Sequence, residues 1–350
     1  MERWRGRVAL VTGASVGIGA ALAVELVRLG MKVVGCARDV GKIQKLAAEC
    51  QNASHPGVLV PLKCDVSKEE EILAMFAAIK KQHKGVDVCI NNAGLAHAEP
   101  LLNGKTSGWK NMMDVNVLAL SICAREAYQS MKERNVDDGH IININSVGGH
   151  QVYPFPDLHF YMATKFAVTA LTEGLRQELR AENTHIRATS ISPGLVDTEF
   201  VSRVHSDSPD KVAAVYSAFT PLKPKDIASV VTYILSAPPH VQKLAAECQS
   251  AGHPGVLVPF KCDLSKEEEI LAMFAAIKEQ HKGLDVCINN AGLAHPIALN
   301  GKTIGWKNMM DTPLCNPLPL YLRLSHVSQA PFKSPPLSPP PASKLWEILA

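Results

Sequence analysis

A phenol and an ammonium stand four residues apart at Tyr161 and Lys165. On a helix, positions i and i+4 share a face, so the two can act as one acid–base unit. A free phenol titrates near pH ~10, too high for proton transfer at neutral pH, and a neighbouring ammonium lowers it toward the working range. Alone, Tyr-x-x-x-Lys is common on helix surfaces and says little. Two further groups give it weight. Ser146 ends the strand-like run Ile141–Asn145, where open α/β sheets place their ligands. Its hydroxyl can donate to a carbonyl oxygen as negative charge develops there. Asn116 lies inside a helix-length segment; on a bend it can hold a water that links Lys165 to solvent, while the plainer reading is a helix cap or kink. Together the four groups suit proton transfer to or from a carbonyl or alcohol oxygen.

A second constellation supplies the other half of such a reaction. Thr12-Gly13-Ala14-Ser15-Val16-Gly17-Ile18-Gly19 follows an apolar run and opens a helical one. Gly13, Gly17 and Gly19 allow a tight turn and close backbone approach, with Ser15 and Ile18 completing it. The helix start then offers free N–H groups and a positive dipole end to a pyrophosphate. These are the parts of a dinucleotide site. An acidic residue after the second strand would accept from the adenosine ribose; the chain has Ala37 and Arg38, a planar cation suited to a 2′-phosphate. NADP(H) is therefore expected rather than NAD, with Asp39 next door as the contrary sign. Asp65 is placed to meet the adenine edge. Asn91, Ala93 and Gly94 can lay backbone along the cofactor, and Pro193, Gly194, Val196 and Thr198 can fix the nicotinamide end.

The elements that must hold these residues are legible in the pattern. Strand-like runs at Val8–Val11, Lys32–Cys36, Val58–Lys63, Val86–Ile90, His140–Asn145 and Ile186–Ile191 alternate with helix-length segments at 17–29, 40–52, 67–83, 107–134 and 159–183. Such alternation predicts an α/β, Rossmann-type doubly wound parallel sheet with helices on both faces, strand order 3-2-1-4-5-6. Arg3, Arg5 and Arg7 before the apolar stretch Val8–Leu29 imitate a signal peptide, but the three glycines mark strand, turn and helix instead.

Over 350 residues the net charge is only +3, with no block of like charges, so a nucleic-acid groove is not implied. No apolar run reaches the ~18 residues of a membrane span. Nine scattered cysteines with no C-x-x-C read as free thiols in a reducing compartment, and a cytoplasmic protein is expected.

The chain also repeats itself. Residues 242–311 copy 44–114 almost exactly in type, with Leu62 replaced by Phe260, Val66 by Leu264 and Val86 by Leu284. The copy has no glycine-rich turn, no counterpart of Arg38 and no Tyr-x-x-x-Lys, although Asp263 and Asn289-Asn290-Ala291-Gly292 recur. The expected organisation is a binding and catalytic domain over 1–242, a non-catalytic partial duplicate over 243–311, and a disordered tail over 312–350, which holds nine of the 23 prolines.

In TGxxxGxG, NNAG, the Asn-Ser-Tyr-Lys set and the PG turn, residues 1–242 resemble the classical short-chain dehydrogenases/reductases. The resemblance implies a Rossmann-type subunit, a homodimer or homotetramer built through the helices that carry Asn116 and Tyr161, and a catalytic tetrad at Asn116, Ser146, Tyr161 and Lys165. It implies NADPH-dependent reduction of a small-molecule carbonyl: a 3- or 17-keto-steroid or a dicarbonyl. Specificity is expected in 147–158 and 197–220. One departure is plain. Family members add a seventh strand after the helix at Ile227–Leu235, whereas here His240-Val241-Gln242 runs into the duplicate. That leaves an alternative, an inactive fusion product which binds nucleotide or pairs with normal subunits.

Overall fold

The computed structural model describes residues 1–205, 208–218 and 220–237, together with Leu271 and Ala275. Apart from those two residues, the partial duplicate and the Pro-rich tail lie outside the described residues. Six strands form one parallel sheet: β1 (Val8–Thr12), β2 (Lys32–Ala37), β3 (Val58–Lys63), β4 (Val88–Asn91), β5 (His140–Ile144) and β6 (Arg187–Ile191). Their order, β3-β2-β1-β4-β5-β6, is the one the alternating pattern predicts. Around them lie α1 (Gly17–Arg28), α2 (Val40–Asn52), α3 (Glu69–His83), α4 (Thr106–Met113), α5 (Leu120–Glu133), α6 (His159–Ala181), α7 (Glu199–Val204), α8 (Pro209–Ala218) and α9 (Pro224–Ser236). The apolar stretch that imitates a signal peptide forms β1, the glycine turn and α1.

Alternation along the strands divides the core in two. Ala9, Val11, Val33 and Ile90 face α1 and α9 through Leu22, Leu26, Ile227 and Val231. Val8, Leu10, Val34 and Cys89 face the other way, onto Ile72, Met75, Ile79, Ala127 and Met131. Parallel pairing fixes the register, with Leu10 opposite both Val34 and Cys89, and Cys89 opposite Ile141. Hence Thr12, Ala37, Asn91 and Ile144 end their strands on one edge of the sheet. The chain turns back at the β1/β4 junction, where open sheets of this kind form their crevice. The N-terminus closes the opposite end: buried Trp4 donates from Nε1 to the Leu235 carbonyl at 2.7 Å and anchors the end of α9.

One element differs from the sequence expectation. The single helix expected over 107–134 is interrupted by a π-helical turn, Asp114–Ala119, between α4 and α5. The extra residue per turn widens the helix at Asn116, and such turns concentrate at functional sites. Among the described residues β6 is the outermost strand on its side.

Candidate active site

The glycine turn is built for a close approach. Gly13 and Gly17 sit at φ +68° and +57°, left-handed conformations that a side chain strains. A Cβ on Gly19 would collide with the Gly13 carbonyl oxygen, and one on Gly17 would lie 3.0 Å from Thr198 Cγ2. The N-cap of α1 is Val16, which makes no side-chain cap, so the first N–H groups of the helix remain for a ligand. Thr12 locks this turn to the β4 loop: its Oγ1 accepts from the Asn92 and Ala93 amides, both at 3.0 Å. Asn92 Nδ2 returns to the Thr12 carbonyl at 2.9 Å. The residues present therefore fit a pyrophosphate-bearing dinucleotide: a cradle with no room for side chains, over an uncapped helix start.

Arg38 is exposed beyond β2, and Asp39 is spent on α2, accepting from the Gly41 amide at 3.1 Å. Asp65 is half-buried and accepts from the Ser67 amide and hydroxyl at 3.1 and 2.8 Å. Burial raises its pKa, but the Ser67 bonds and the Arg38 and Lys68 charges outweigh that and hold it low. Asn91 does not face the crevice. It is buried, and its amide donates to Asn143 Oδ1 at 2.9 Å, so only its backbone is available to a cofactor. The Pro193-Gly194 turn is tied to the β5 exit by Val147 N–H to the Pro193 carbonyl at 2.9 Å. Thr198 caps α7 and rests against Gly17, next to the glycine cradle.

The four acid–base candidates converge on the same edge. Ser146 lies beside the Tyr161 phenol, where its hydroxyl favours the ionised form, and it accepts from the Gly148 amide at 3.0 Å. Lys165 is buried, with Nζ 3.0 Å from the Ile144 carbonyl and 5.7 Å from the Tyr161 ring centre. Burial lowers its pKa to about 8. The expected lowering of the Tyr161 pKa by Lys165 is not met. Burial pushes the phenol up to about 12, against the opposing hydrogen bond from Ser146. The ammonium is itself poorly solvated and is directed at a backbone carbonyl rather than at the phenol oxygen, so desolvation wins.

Asn116 lies in the widened π-turn and is fully buried. Its Oδ1 accepts from Leu95 N–H at 2.9 Å, and its Nδ2 donates to the Leu95 carbonyl at 2.8 Å and to Thr164 Oγ1 at 3.0 Å. The side chain is thus committed to structure. A Cβ on Gly94 would sit 3.5 Å from Asn116 Oδ1 and 3.7 Å from Lys165 Nζ, so this glycine lies between the two.

Sequence reasoning missed the wall beside the phenol. Phe200 of α7 packs on Tyr161 with ring centres 5.3 Å apart, and Trp109 stacks on Phe160 at 5.3 Å. Leu95, Ala96, Met112, Leu158 and Val204 complete an apolar cluster. No spacing rule links Trp109, Phe160 and Phe200; they meet only through the fold.

The short chain dehydrogenase family model matches residues 7–209 and again 225–320, the second match spanning the duplicate. The chain belongs to this family. Dehydrogenase/reductase SDR family member 11 of Gallus gallus is 70% identical over 242 residues, 69% of this chain and 95% of the relative. Farnesol dehydrogenase of Aedes aegypti is 46% identical over 244 residues, 69% of this chain and 95% of that one. Among solved structures, the closed form of serine dehydrogenase complexed with NADP+ matches at TM-score 0.60 and 29% identity, covering 73% of this chain and all of that one. A short chain dehydrogenase/reductase from Burkholderia phymatum in complex with NAD matches at TM-score 0.60 and 25% identity, covering 67% and 87%. This short-chain dehydrogenase is an oxidoreductase, and none of its described helices is long and apolar enough to cross a membrane.

Proposed function

We propose that the chain is an NADP(H)-dependent reductase that converts a ketone, a keto-steroid or a dicarbonyl, to a secondary alcohol. The observation that carries this reading is the convergence of Ser146, Tyr161 and Lys165 on the sheet edge that also holds the glycine cradle. When bound, the nicotinamide supplies the hydride. The chain's residues do the rest. Tyr161, neutral up to about pH 12, is in the state of a proton donor and delivers its proton to the carbonyl oxygen. Ser146 orients that oxygen and shares its developing charge. Lys165, with Nζ 5.7 Å from the ring centre, is the group through which the proton is replaced, and Asn116 holds the π-turn beside it.

Two further features support the finer reading. Arg38 is exposed, and among the described residues no carboxylate is bonded to it, while the neighbouring Asp39 is occupied as a helix cap, which favours a cofactor with a 2′-phosphate. The Tyr161–Phe200 and Trp109–Phe160 pairs give the carbonyl an apolar, ring-lined approach suited to a steroid or other bulky apolar substrate. A relative that is a farnesol dehydrogenase agrees with that class. Exposed Leu118, Phe166 and Leu171 on the π-turn and α6 support a homodimer or homotetramer. Five described cysteines, all free and buried, support a reducing, cytoplasmic setting.

The test is NADPH oxidation by the purified chain with a 3- or 17-keto-steroid and with a diketone. Turnover lost in Tyr161→Phe supports the reading. A chain that binds NADPH but turns over none of these would instead favour the inactive fusion product.

A further inference from the structure

Three asparagine amides reach α6, and each meets a threonine hydroxyl there. Asn116 Nδ2 donates to Thr164 Oγ1 at 3.0 Å, Asn145 Nδ2 to Thr169 Oγ1 at 2.9 Å, and Asn143 Nδ2 to Thr172 Oγ1 at 2.9 Å. The last two fasten the helix to β5 and the segment that follows it. The first is different in kind. Thr164 is buried, and its hydroxyl also donates to the Tyr161 carbonyl at 2.7 Å. The hydroxyl of Thr164, the residue just before Lys165, therefore joins the amide of Asn116 to the backbone of Tyr161. The remaining capacity of that amide is spent on both polar groups of Leu95. No other described hydrogen bond joins the side chain of the π-turn's Asn116 to the helix carrying Tyr161 and Lys165.

We infer that Thr164 is a positioning residue of the reacting centre, setting the π-turn at Asn116 against the turn of α6 that presents Tyr161 and Lys165. The inference rests on the reductase reading for its kinetic test, and on geometry alone for its second. Without the hydroxyl, Asn116 keeps its bonds to Leu95 while α6 loses its tie to that frame. Near Lys165 the spacing is tight, because Gly94 lies between Asn116 and the ammonium. A shift of under an ångström there changes the acid–base geometry without unfolding anything.

The experiment compares Thr164→Val, which keeps the shape and removes the hydroxyl, with Thr164→Ser, which keeps the hydroxyl. Thr172→Val serves as a control that breaks an equivalent clasp farther along the same helix. Thr164→Val is expected to lower kcat at least tenfold with the KM for the carbonyl within twofold. Thr164→Ser should recover most of kcat, and Thr172→Val should lose thermal stability while keeping kcat. Independently of turnover, the titration of Lys165 is followed through its 13Cε resonance, assigned by its loss in Lys165→Arg. The midpoint should move by half a pH unit or more in Thr164→Val and stay put in Thr172→Val. Equal kcat losses in the two valine variants, or no recovery with serine, would overturn the inference. If the wild-type chain turns over no carbonyl, the reductase reading fails, and the resonance alone decides: an unmoved Lys165 midpoint overturns the positioning role.

Discussion

Raising the pH should switch reduction off through Lys165 and leave the fold standing. Burial holds the ammonium at a pKa of about 8, while the Tyr161 phenol stays protonated to about 12. From pH ~7 to ~9 the ammonium fraction falls from roughly nine-tenths to one-tenth, so a step that needs it slows about tenfold. The assay is kcat/KM for NADPH between pH ~6.5 and ~10 at saturating carbonyl, since this ratio reports groups of the free enzyme. The expected profile is level to about 7.5 and falls one decade per unit above 8.

The contribution of Lys165 to stability moves the other way. Lys165 has a folded pKa below its unfolded value of 10.5, so between about 8 and 10.5 the unfolded chain binds more protons than the folded one. Over that window this residue adds stability as the pH rises, by up to roughly 3 kcal/mol, and below about 8 its contribution no longer changes. Between about 8 and 9, activity falling while Tm holds or rises marks titration of the site; above that, the Cys89 thiol and the Tyr161 phenol, both pushed up to about 12 by burial, withdraw stability as the pH rises, so Tm falls there for reasons apart from Lys165. A rate that stays level past pH 10, or the same fall in Lys165→Arg, would refute the reasoning.

Three other substitutions probe separate parts. Gly19→Ala forces a methyl onto the Gly13 carbonyl oxygen and should cost about 1–3 kcal/mol in urea denaturation; the thermal shift given by NADPH should disappear with it. Arg38→Ala removes the exposed cation after β2, and at about 1.5–3 kcal/mol for a charged hydrogen bond the KM for NADPH should rise roughly 10- to 100-fold with that for NADH little changed; equal effects on both would refute the 2′-phosphate assignment. Asp87→Ala leaves the Val8 amide and Arg134 without the buried carboxylate they meet at 2.8 and 3.1 Å, and chemical denaturation should show a loss of about 3 kcal/mol.

What the sequence made legible was whatever depends on local pattern. Strands such as Val8–Thr12 announce themselves by near-continuous apolar residues, and the glycine turn by spacing that few other loops need. The strand order followed because strictly alternating units leave few right-handed windings. Legibility failed where residues meet across the fold. The π-turn at Asp114–Ala119 leaves no periodic trace, because one extra residue in a long amphipathic run looks like ordinary drift of the apolar stripe. The Tyr161 pKa departs from the expectation for a related reason: spacing gives the proximity of Lys165 but not the burial of both groups, and burial dominates. The Asn–Thr contacts to α6 were invisible because threonine and asparagine occur in any helix and any loop.

The same separation of parts limits what the duplicate can do. The proposed acid–base set is drawn from four places: the π-turn, the exit of β5, and two positions on α6, with the glycine cradle on a further loop. The copy reproduces residues 44–114 and stops at Asp311, the counterpart of Asp114, two residues short of any counterpart to Asn116. It carries counterparts of Asp65 and of Asn91 to Gly94, yet none of the cradle, the serine or the tyrosine–lysine pair. In the first copy Asn92 and Ala93 are held by the Thr12 hydroxyl, a residue with no counterpart in residues 242–311. Within its own sequence the copy has no hydroxyl to do what Thr12 does for the first loop. A site in the duplicate would therefore have to borrow β1 and its threonine from the first part of the chain.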